Sequence, residues 1–148
     1  MASLIAVDAL PRFFTPDEAK RTVPKLKPHL AELREAFHEY RFAREQVDEL
    51  LSMYREDPSL VPGHPQQAEA LRWKDAASRA DARVRAALAE INDLGADVKD
   101  PIVGLVDFYH QRANGDIVLL CYRDDEDTIR YWHPLTTGFA GRRPIEEL

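Results

Sequence analysis

Eight side chains in the last third of this 148-residue sequence carry groups that chemistry would use: Asp107, Tyr109, His110, Cys121, Tyr122, Tyr131, His133 and Arg142. A carboxylate beside one or two imidazoles can ligate a divalent metal or act as a base held by its partner. A guanidinium such as that of Arg142 grips a carboxylate or phosphate with its planar fork. No stronger motif competes. The sequence has no glycine-rich phosphate loop ending in Lys-Ser or Lys-Thr, no His-Glu-x-x-His, no Cys-x-x-Cys and no Gly-x-Ser-x-Gly elbow. Which of the eight meet depends on the strands that carry them.

Residues 102–108, 117–122 and 128–133 are short β-branched and aromatic runs that read as strands. Asn114-Gly115 is a hairpin signal between the first two, and the acidic run from Asp124 to Asp127 separates the second from the third. A three-stranded antiparallel meander follows, with an irregular tail over 135–148. Two-residue turns at Asn114-Gly115 and Asp125-Glu126 would set Asp107 opposite Tyr122 and Tyr122 opposite Ile129. Asp107, Tyr122, Tyr131 and His133 then share one face, with His133 near the loop that bears Tyr109 and His110. Cys121 falls on the other face beside Phe108 and Trp132, as an inert buried thiol. A turn of odd length would reverse this and assemble a Cys, His, Asp set suited to zinc or to a thiol nucleophile.

Asp107 and His133 are thus the candidate catalytic pair and the candidate metal ligands. Against that stands a structural role, with Asp107 capping the turn and His133 hydrogen-bonding before Pro134. The balance lies with the structural role while a third ligand is missing. In the tail, Gly138 and Gly141 permit exposed amide donors. Together with Arg142 and Tyr131 they form a candidate anionic-ligand site. The competing reading is a tight cover that inserts Phe139 into the core and pins itself by an Arg142 to Asp107 ion pair, and it carries more weight. His29, His38 and His64 have no convincing ligand partners.

The elements that hold these residues are announced by two heptad stripes: Leu26, Leu30, Leu33, Phe37, Tyr40, Arg44, Val47, Leu51, Tyr54, then Trp73, Ala77, Ala80, Val84, Ala87, Ile91, Leu94. They predict a long antiparallel, coiled-coil-like helix pair. Thr15-Pro16-Asp17-Glu18 starts a short leading helix, and Pro24 and Pro28 predict a break before the long helix begins near Pro24. Residues 57–65 make the connection, Pro65 opens the return helix and Gly95 closes it. Folding about that loop sets Phe37 and Tyr40 opposite Ala80 and Ala77, Leu26 against Leu94, and Arg44 near Asp75, where an ion pair competes with a side chain extended into solvent. Ala36, Ala43 and Leu50 widen one apolar face, and Ala70, Ala76 and Leu88 the other. That width needs cover from the leading helix, the β segment or a second copy, and a homodimer is the expectation.

The chain is long enough for one domain, with the hairpin over 14–96 and the meander and tail over 97–148, an α+β class. The net charge of −6 is spread over the helices as mixed signs, and the densest basic stretch, Arg79 to Arg85, is broken by Asp81. Nucleic-acid binding gains no support. One cysteine allows no internal disulfide, the first residues lack the basic start and apolar run of an export signal, and no apolar run approaches the roughly 20 residues that span a bilayer. A cytoplasmic protein without membrane segments is expected.

Phe14-Thr15-Pro16-Asp17-Glu18-Ala19, Val98-Lys99-Asp100, Gly104-Leu105-Val106-Asp107-Phe108, Leu120-Cys121-Tyr122, and Tyr131-Trp132-His133 followed by Gly138-Phe139-Ala140-Gly141-Arg142 resemble the uncharacterised prokaryotic family named domain of unknown function 2203. The resemblance implies a helical hairpin joined to a β segment and brings no established activity. The family pattern has Trp where this chain has Tyr122 and Pro-Ala where it has Tyr109-His110. That departure moves weight from His110 toward Asp107, His133 and Arg142. The leading functional expectation is a ligand-binding or protein-interaction module that dimerises through its hairpin. The alternatives are a small enzyme using a metal or an acid/base pair, and a scaffold without a small-molecule site.

Overall fold

A computed structural model describes residues 11–57 and 65–148. Thr15 caps the first helix: its hydroxyl accepts from the Glu18 N–H at 3.2 Å, and the Glu18 carboxylate accepts from the Thr15 N–H at 3.3 Å. Helix α1 then runs unbroken as Pro16–Glu56. The expected short leading helix and the break near Pro24 do not occur. Ala19 and Val23 extend the buried row of Leu26, Leu30 and Leu33, so one continuous face is anchored through the proline region. Pro24 and Pro28 lie on the exposed side, where water can satisfy the carbonyls they leave free.

Helix α2, Pro65–Asp93, returns antiparallel: Arg83 reaches Glu32 at 2.8 Å and Glu39 at 2.5 Å, while Trp73 meets Phe42 edge to face at 5.4 Å. The connection expected over 57–65 falls mostly on residues 58–64, His64 included, which with 1–10 lie outside the described residues. Helix α1 buries Val47 of the expected stripe, but beyond Leu33 the flanking Ala36 and Ala43 take the buried positions in place of Phe37 and Arg44. A helix of 3.6 residues per turn drifts off a strict seven-residue repeat in this way. Arg44 is exposed, and Asp75 pairs along its own helix with Arg79 at 3.0 Å. The cross-helix ion pairs come from Arg83 instead.

Gly95 ends α2 at φ +89, and a Cβ there would sit 2.6 Å from the Phe14 ring, so the turn admits only glycine. Five antiparallel strands follow in sequence order: β1 Asp97–Asp100, β2 Leu105–Gln111, β3 Ile117–Arg123, β4 Tyr131–Pro134 and β5 Arg143–Pro144. The expected three strands are the middle of this sheet. Ile102 and Val103 sit in an exposed turn, and Thr128, Ile129 and Arg130 precede β4 rather than belong to it. The tail is ordered by β5 and by 3-10 turns at Phe139–Gly141 and Ile145–Glu147. One face of the sheet, with Val106, Phe108, Leu120, Tyr122 and Trp132, packs on the foot of the hairpin at Leu26, Leu30, Leu33 and Ile91. Among the described residues no helix is long and apolar enough to cross a membrane.

Candidate metal centre

The loop between β2 and β3 decides which side chains reach the other face. The Arg112 N–H bonds the Asp116 carbonyl at 2.8 Å, and the three residues Ala113, Asn114 and Gly115 close the turn, with the Gly115 N–H donating to the Arg112 carbonyl at 2.9 Å. Gly115 takes φ +92, as the last residue of a three-residue hairpin loop does. The expected two-residue turn is therefore replaced by one of odd length. Asp107 stands opposite Cys121 rather than Tyr122, Cys121 opposite Tyr131, and Leu119 opposite His133.

The face turned away from the helices thus carries Asp107, Cys121, Tyr131 and His133, with Tyr109 level with His133 across Leu119. Tyr122 goes to the helix side. There burial pushes its phenol up to about 12, and its hydroxyl has no hydrogen-bond partner among the described residues. His110 is on that side too, its Nδ1–H donating to the Phe14 carbonyl at 2.7 Å.

Asp107, Cys121 and His133 are 2%, 0% and 3% exposed, and one donor atom from each lies within 4.8 Å of the others. His133 Nδ1 is 2.8 Å from the Pro134 carbonyl oxygen. A carbonyl only accepts, so Nδ1 carries its hydrogen. Nε2 then faces Asp107 Oδ1 at 3.2 Å, and one proton lies between them. Burial raises the Asp107 carboxyl above the usual range, against the opposing pull of His133 and of the thiol. Cys121 is pushed up to about 12, first by burial and then by the Asp107 charge. Without a cation the centre holds its protons, because two bare negative charges in this burial are strongly disfavoured.

The order of groups is thiol, carboxylate, imidazole. A nucleophilic cysteine needs the imidazole beside sulfur and a lowered thiol pKa. Here both imidazole nitrogens are engaged elsewhere and the thiol is harder to ionise. A dication inverts that logic. Thiolate and carboxylate together would balance its charge, and the Nε2 lone pair would complete a mixed donor set. Zinc–donor distances of about 2.0–2.3 Å put tetrahedral donors roughly 3.3–3.7 Å apart; His133 Nε2 and Asp107 Oδ1 are 3.2 Å apart, and all three donors lie within 4.8 Å of one another. The Nδ1–H bond to a backbone carbonyl is the outer contact that orients a ligating imidazole.

The tail departs from expectation at three points. Arg142 pairs with Glu126 rather than Asp107, and both side chains are largely buried. Phe139 is 41% exposed rather than inserted into the core, and its ring and that of Tyr131 receive the Arg142 guanidinium at 4.7 and 4.1 Å. The Gly141 N–H is spent on the Gly138 carbonyl at 3.0 Å and is no free amide donor. A cleft of about 590 Å³ beside Pro16, His110 and Arg112 contains none of the three donors.

The model of the family described as "Uncharacterized conserved protein (DUF2203)" matches residues 12–145, and the chain belongs to that family. The matched span includes the whole donor set. No curated protein and no solved structure matches the chain significantly.

Proposed function

We propose that this protein binds a divalent transition-metal ion, zinc by donor chemistry, through Asp107, Cys121 and His133. The observation that carries the reading is the convergence of three different donor types, all buried, on one face of the sheet. Three protein ligands leave a fourth position for water or a ligand, the arrangement of reactive zinc sites. The cytoplasm, where a lone thiol stays reduced, suits such a centre. Metal analysis of protein purified without an affinity tag tests it, together with Co²⁺ titration followed by the thiolate-to-metal absorption band. Stoichiometric uptake that Cys121→Ser abolishes is expected. A parent protein that takes up neither Zn²⁺ nor Co²⁺ overturns the reading.

A second copy of the chain is proposed to pack on the far end of the hairpin, where Phe42, Leu51, Met53, Tyr54 and Leu71 are exposed. Two such hairpins complete a four-helix bundle. Sedimentation of the parent and of Leu71→Glu checks this: a dimer that the substitution dissociates is expected, and a parent that stays monomeric at high micromolar concentration contradicts it.

A further inference from the structure

We infer that the Glu126–Arg142 ion pair is a latch beside the metal centre, which opens to a small oxyanion, a carboxylate or phosphate, bridging the open coordination position and the Arg142 guanidinium. The inference rests on the metal reading above.

Position is the first support. Tyr131 is the cross-strand partner of Cys121, and the Arg142 guanidinium lies 4.1 Å above the Tyr131 ring. The Glu126 and Arg142 side chains are only 12% and 11% exposed, so this pair is sheltered from water on the face that holds the donors.

The second support is an unfilled donor. Arg142 gives one terminal nitrogen to Glu126, while its Nε is buried with no hydrogen-bond partner among the described residues. Guanidinium binds oxyanions best through two parallel N–H bonds, and Glu126 takes only half of that fork. Glu126 is held back by its own second contact, its other oxygen accepting the Arg123 N–H at 2.8 Å. An incoming carboxylate or phosphate can take both the Nε and the terminal N–H. Glu126 stays anchored on its loop as Arg142 changes partner. The segment that carries Arg142 is suited to such a change: Gly138 enters it at φ +60, and Thr137, Gly138, Phe139 and Ala140 are exposed.

The test uses the full chain loaded with Co²⁺, titrated with acetate and separately with inorganic phosphate. Binding is read from the metal's visible absorption and by calorimetry, with metal content and thermal melting measured on each variant. Binding is expected in the loaded parent and not in the metal-free protein. Arg142→Lys, which keeps the charge and loses the fork, is expected to weaken it at least tenfold. Glu126→Gln, which can still accept the Arg123 N–H, is expected to tighten it at least threefold. Whichever anion binds identifies the ligand class. Loaded protein that binds neither anion, or binds with equal affinity in parent and both variants, overturns the latch while the metal reading stands. Equal binding without metal overturns the bridge, and failure of metal uptake in the parent removes both.

Discussion

The two faces of this sheet are built from the same strands and alternate residue by residue, yet they do opposite things. The face toward the hairpin carries Val106, Phe108, Leu120, Tyr122 and Trp132, buried in one core with Leu26, Leu30, Leu33 and Ile91. The face away from it buries Asp107, Cys121 and His133, whose hydrogen bonds to one another and to the Pro134 carbonyl offset the cost of burying them and add little net stability. Only one residue of register separates these fates. Stability and the proposed metal chemistry therefore fall on different faces, and each can be perturbed with the other as control.

The largest effect should come from the helix-facing side. Phe108→Ala removes a ring buried against Phe14 at 5.0 Å and should cost about 3–5 kcal/mol in urea unfolding. An equal loss from Cys121→Ala in metal-free protein would erase the contrast between the faces. Zinc at a thousandfold excess over its dissociation constant should stabilise the parent by about 4 kcal/mol and leave Cys121→Ala unmoved. Calorimetric melting of both proteins reads this directly. Ala80→Phe, which overfills the helix seam, should cost about 1–3 kcal/mol and leave zinc uptake intact. If uptake fell in step with stability, the hairpin and the centre would not be separable.

A smaller effect is set by pH. The Cys121 thiol ionises near 9.0 when unfolded and is held up to about 12 in the fold, so the folded state keeps its proton longer. That contribution is complete below pH 9 and is lost as pH rises toward 12. Metal-free parent should lose about 1 kcal/mol more than Cys121→Ala between pH 8 and 10. Parallel pH curves for the two proteins would show that the thiol is not sheltered. The smallest effect belongs to the tail: a Glu126, Arg142 double-mutant cycle should show coupling of about 0.5–1 kcal/mol, and an Asp107, Arg142 cycle should be additive within about 0.5 kcal/mol.

Much of the hairpin was legible because helix signals are local. The Thr15 to Glu18 capping box, Pro65 at the start of α2, and Gly95 at its end are all written in a few adjacent residues. The prolines misled, since a core-facing row on the opposite side outweighed two missing donors on the solvent side. Edge strands β1 and β5 could not be seen. One is charged and four residues long, the other is two residues including Pro144, and neither alternates in hydropathy. Register was the deeper difficulty. Residues 117–122 are apolar toward both faces, so alternation could not choose a pairing, and Asn-Gly suits loops of two and of three residues alike. The slip between β2 and β3 was undone in parity by a second between β3 and β4. Asp107 and His133 were therefore expected together, while Cys121 between them was set on the wrong side.

Cys121 is the only cysteine in the chain, and it lies in the central strand with no measurable exposure. Any thiol-selective reagent that marks this protein must wait for that neighbourhood to part. The speed of labelling is thus a clock for local opening, and a bound ion or anion would be expected to slow it.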